Sequence, residues 1–111
     1  MVFSWFNTRA VDAFVDAEVA DLIRRIPPAK LEGDSPAAKK AHGQLEKAHD
    51  DLLRKVSEFV RREKPGLFKK ARLANRMKWA LAEAKYPQAF VDRLAYALAA
   101  VAASANASRE I

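Results

Sequence analysis

His42, Glu46 and His49 carry the clearest metal-ligand chemistry in this sequence. Their spacings place all three on one face of a helix, where two imidazoles and a carboxylate are donor types that zinc or iron accepts. Di-iron bundles, however, draw on two Glu-x-x-His units and on further carboxylates from other helices. Here Glu46-x-x-His49 is the sole such unit. The competing explanation is that both histidines flank a core stripe in line with Leu53 and Val60 and turn their polar edges to solvent. On that reading no metal or cofactor is expected.

Nucleophilic chemistry has less support. The chain has no cysteine, which removes thiolate catalysis, thiolate metal sites and disulfides together. Ser4, Ser35, Ser57, Ser104 and Ser108 fall in caps, tails or a charged helix face, so no Ser–His–Asp arrangement can be assembled. Walker, dinucleotide-binding and zincin motifs are absent as well. No catalytic residue is assigned, and the chain is read as non-enzymatic. A cysteine-free chain suits a reducing cytoplasm, the expected location.

The strongest compositional signal is electrostatic. The formal net charge is +6, yet residues 54–78 alone hold ten Lys and Arg against Glu58 and Glu63, a local excess of +8. Such a concentration would attract an acidic protein or lipid surface, or neutralise phosphates. The nucleic-acid version of this reading uses Arg61, Arg62, Lys69, Arg72 and Arg76. A plain solvated face competes with all of them. The break at Lys64-Pro65-Gly66 between two helical runs suggests a helix-turn-helix only weakly, because the helix before it is too long for that unit.

Phe68, Asn75, Trp79 and Tyr86 follow spacings of seven, four and seven, a stripe set apart from Leu73, Met77 and Leu81 on the same segment. With Arg72 and Arg76 beside the rings, this is the composition of an interaction hot spot, a base-stacking platform or a headgroup contact; the competing explanation is that both faces are buried, because the third helix is central or because residues 1–6 cover the stripe. A second apolar cluster stands at the start, where Val2, Phe3, Trp5 and Phe6 precede the first helical pattern. Leaving four such residues in water is costly, so this arm is expected to fold back on the bundle, to meet a partner or second copy, or to touch a membrane surface. The partner-binding set is therefore Phe68, Arg72, Arg76, Trp79 and Tyr86, with Phe3 and Trp5 from the arm. The partner expected first is a protein, a second copy included.

Four helices must position these groups. Val11, Val15, Val19, Leu22 and Ile26 mark a helix over 8–26, stopped by Pro27-Pro28. Residues 27–34 read as a connecting loop. Ser35-Pro36 then offers an N-cap and a first-turn proline for a long helix over 36–63, whose Ala38, Ala41, Leu45, Ala48, Leu52, Val56 and Phe59 fall within about 80° of one another. A third helix is expected over 67–85 and a fourth over 88–104, with 1–7 as an apolar arm and 105–111 as a tail.

The chain has 111 residues, 50% of them hydrophobic, which suits one all-helical domain with a single core. No stretch has the roughly 20 apolar residues of a transmembrane span, and no integral membrane segment is expected. Short connections favour an up-down-up-down four-helix bundle with a long second helix. In that arrangement the acids of the first helix, Asp12 and Asp16, are placed to lie beside the basic flank of the third.

Overall fold

Val11, Val15, Val19 and Leu22 recur every three or four residues, and this stripe is the buried face of the first helix. The computed structural model of the chain describes residues 8–110, and side chains for 8–103. Its helices are α1, Arg9–Arg25; α2, Pro36–Glu63; α3, Leu67–Glu83; and α4, Gln88–Glu110. Among the described residues there is no strand. A short 3-10 turn, Pro28–Leu31, interrupts the connection after α1 and buries Leu31.

Each boundary has a local cause. The Ser35 hydroxyl accepts a hydrogen bond from the Ala38 amide at 3.1 Å, and Pro36 occupies the first turn of α2, where no amide hydrogen is needed. Lys64 ends α2 in the left-handed conformation, with φ 48°. The helix α3 stops at Glu83, two residues before the expected end. There Lys85 is left-handed, its amide donates to Ala82 and the Tyr86 amide donates to Leu81. This is a Schellman stop with lysine where glycine is commoner, so the sequence offers little warning of it. The helix α4 continues to Glu110, through the segment expected as a tail, because its end is rich in alanine and free of glycine and proline.

One core joins the helices. Leu22, Met77, Leu81, Leu94 and Val91 are all but sealed from solvent, and Leu52, Val56, Phe59 and Leu98 extend the same cluster. Phe14 stacks on Phe59 at 4.4 Å and Lys55 donates to Glu18 at 3.2 Å, so α1 and α2 run in opposite directions. Asp12 meets Arg72, Asp16 meets Arg76 and Ile26 meets Tyr86, a constant offset of 60 residues that makes α1 and α3 parallel. The closest helix pairs are α3 with α4, α1 with α3, and α2 with α4. Two large rings between α1 and α2 space those backbones apart, whereas the partly buried Ala74, Ala80 and Ala82 of α3 let neighbouring backbones approach. Arg93 of α4 reaches Glu46 of α2 at 2.8 Å.

Candidate functional site

The His–Glu–His face does not assemble into a site. The His42 ring donates through Nε2 to the Leu31 carbonyl at 2.9 Å and so ties the 3-10 turn to α2. Glu46 is paired with Arg93. His49, expected with its polar edge in solvent, is instead buried, its ring edge-on to Phe90 at 6.0 Å. The reason is that α4 packs over that side of α2 and covers it. Nδ1 of His49 lies 3.5 Å from Asp50, while Nε2 is buried and has no hydrogen-bond partner among the described residues. Among the described residues, no three acidic or histidine side chains converge on one point.

An orphaned buried nitrogen costs the fold its lost hydration. The substitution His49→Leu is therefore expected to leave stability unchanged or raise it by up to about 1 kcal/mol, read from the urea midpoint. A loss larger than that would show that the ring holds a partner.

A groove lies along α3. Its volume is about 610 Å³, and its lining includes Phe68, Ala71, Asn75, Trp79, Ala80 and Glu83 of α3, with Arg72 and Arg76 on the side where Asp16 of α1 closes it. At about 1.5 Å per residue, the rise from Phe68 to Trp79 is roughly 16 Å. Trp79 is 65% exposed and Phe68 50%, and both stand on the solvent side while Met77 and Leu81 face the core. Lys78 sits over the Trp79 ring at 5.9 Å.

Tyr86 does not belong to this surface. It was expected on the same stripe as Trp79, but it is 4% exposed and its hydroxyl donates to the Ile26 carbonyl at 2.8 Å. The physical reason is the left-handed Lys85, which turns the chain inward one residue earlier. Burial pushes the Tyr86 hydroxyl up to about 12, against a smaller opposing pull from Arg25. Phe3 and Trp5 lie outside the described residues.

Arg72 and Arg76 are both in place along the groove and both engaged. Arg72 donates from Nε and Nη2 to the two Asp12 oxygens at 3.1 and 3.2 Å, a forked pair. Arg76 donates to Asp16 at 3.0 and 2.9 Å and approaches Asp12 at 3.7 Å. The hydrogen bond from Arg72 holds the Asp12 carboxyl below the usual aspartate range, against a smaller upward push from burial. Because the folded value is depressed, the stability this group contributes is present above the ordinary aspartate value near 4 and is lost as pH falls through the folded value. For a partly exposed pair, a double-mutant cycle with Asp12→Asn and Arg72→Gln is expected to give about 0.5–1 kcal/mol of coupling, reduced by added salt. No coupling at low salt would count against the forked geometry.

The basic run is thus less available than its composition implies. Arg62 pairs with Glu63 at 3.1 Å, Arg54 with Asp51 at 3.0 Å, and Lys55 with Glu18. Lys70 is buried. Of the five cations of the nucleic-acid reading, Arg61 and Lys69 make no ion pair among the described residues, while Arg62, Arg72 and Arg76 do. Ala71, Ala80 and Glu83, which complete the groove, were not singled out from sequence. Alanines carry no chemical signal there until their place between two exposed rings is known.

Taken by fold and site, the molecule is a four-helix bundle with one helix whose outer face is a groove bounded by exposed aromatic rings. No protein-family model, curated protein or solved structure matches the chain. Among the described residues, no helix is long and apolar enough to cross a membrane.

Proposed function

We propose that this chain is a non-enzymatic interaction module whose α3 groove takes an acidic amphipathic helix from a partner protein. The observation that carries this reading is the exposure of Trp79 and Phe68 at the two ends of a groove whose floor is small, Ala71 and Asn75. Large rings flanking a shallow floor suit the ridge of an incoming helix, with aromatic anchors of the kind that dominate interface energetics. Charge selects the sign of the partner. Lys69, Arg72, Arg76 and Lys78 outnumber Glu83 on the accessible part of α3, and Asp12 and Asp16 pair with two of them.

A display library of helical peptides, selected on the full chain, tests this. Enriched peptides are expected to be amphipathic and rich in Asp and Glu, and Trp79→Ala is expected to weaken them about tenfold or more. Basic peptides, or peptides indifferent to Trp79→Ala and Phe68→Ala, would overturn the reading. So would tighter binding of mixed-sequence DNA or RNA with a steep salt dependence, which would favour phosphate recognition by Arg61 and Lys69. If no peptide is enriched and mass rises with concentration unless Trp79 is replaced, the groove serves a second copy of the chain instead.

A further inference from the structure

We infer that the turn between α2 and α3 docks on an anionic lipid bilayer, with Leu67 entering the hydrocarbon edge, the half-exposed Phe68 beside it, and Arg61, Arg62, Lys64 and Lys69 at the level of the headgroups. This surface does not rest on the function proposed above. The helix α2 runs opposite to α1, and α3 runs parallel to α1, so the turn over 64–66 stands at one end of the bundle. At about 1.5 Å of rise per residue, Arg61 and Lys69 both lie within roughly one helical turn of that end. The turn itself is held in place. Pro65 is buried, and the Lys64 amide donates to the Val60 carbonyl at 2.9 Å. Leu67 is 68% exposed, more than any other large aliphatic side chain among the described residues.

Charge and shape select the occupant. Over residues 61–69 four cations stand against one acid, Glu63, which Arg62 already engages. Arg61, Lys64 and Lys69 make no ion pair among the described residues. A tip of nine residues is too small for a stable protein interface, which takes about 800 Å² from each partner. Phosphates of a nucleic acid would engage the cations but offer an aliphatic side chain nothing, whereas leaving water for hydrocarbon is favourable for Leu67. A negatively charged bilayer satisfies both groups at once. Long Lys and Arg stems keep their charges among the headgroups while the leucine reaches deeper.

Vesicles test this on the full chain. Binding is expected to phosphatidylcholine vesicles holding about a third phosphatidylserine, with little to pure phosphatidylcholine, and added salt is expected to weaken it several-fold. Leu67→Ser is expected to weaken it about tenfold. Arg61→Gln with Lys69→Gln is expected to weaken it about tenfold or more, since each cation near such a surface counts for about fivefold. The chain has no cysteine, so Leu67→Cys takes a single environment-sensitive fluorophore, whose emission is expected to shift to the blue on the charged vesicles. The same label on Tyr96→Cys, in the exposed face of α4, is expected to stay in water. No binding to the charged vesicles at low salt would overturn the inference, and so would an unshifted label at position 67. A loss of binding with Trp79→Ala or Trp5→Ser that Leu67→Ser does not reproduce would put the lipid contact elsewhere and overturn it as well. Tighter binding of mixed-sequence DNA, unaffected by Leu67→Ser, would assign the cations to phosphate backbones instead.

Discussion

Met77→Ala is expected to lower the unfolding free energy by about 2–5 kcal/mol, the largest single effect anticipated in this chain. Met77 has no exposed surface and sits in the same cluster as Leu22, Leu81 and Leu94. Truncation removes the transfer free energy of the side chain and leaves a void that packed helices close only in part. A domain of this size has a total stability of about 5–15 kcal/mol, so the variant would lose a large share of it. Trp79→Ala, two residues on, is expected to stay within about 0.5 kcal/mol of the parent, because that ring stands in solvent. Urea denaturation of both variants checks the contrast. Comparable losses at the two positions would mean that the outer face of α3 is also packed.

The second large effect is at Tyr86. Its hydroxyl bonds the last carbonyl of the α1 terminus, linking the α3–α4 turn to Ile26. Tyr86→Phe keeps the ring and leaves that buried acceptor unmatched, for an expected loss of about 1–3 kcal/mol at neutral pH. The pH dependence follows from the raised value near 12. An unfolded tyrosine ionises near 10, so the hydroxyl contributes fully below about pH 10, and its contribution is lost as pH rises toward 12. The difference between parent and Tyr86→Phe should therefore be constant through neutral pH and narrow above about pH 10. A difference that widens there would contradict a buried neutral hydroxyl.

Much of the fold is legible in the amino-acid order because the causes are local. Apolar spacing marks α1 and α2, Ser35-Pro36 starts α2, and Pro27-Pro28 ends the first run. Asp12 and Asp16 were expected only to lie beside the basic flank of the third helix, and there they meet Arg72 and Arg76. The end of α3 is less legible: Lys85 adopts a conformation that glycine usually marks, and the earlier stop separates Tyr86, which is buried, from the exposed Trp79 of the same stripe. His49 likewise reads as a flanking polar residue until α4 is seen to cover it.

The sequence by itself determined that this is an all-helical bundle, where most helices begin and end, and that the third helix is amphipathic on two sides. Periodicity, capping and proline placement act over a few residues, and a chain carries them wherever it folds. Which helices become neighbours, which arginines are engaged and which aromatic rings remain exposed were decided only by the tertiary structure. Those outcomes depend on contacts between residues dozens of positions apart, such as Tyr86 with Ile26 and Arg93 with Glu46. The outer face of α3, where Trp79 stands in solvent and Tyr86 does not, is the place where that distinction bears on function.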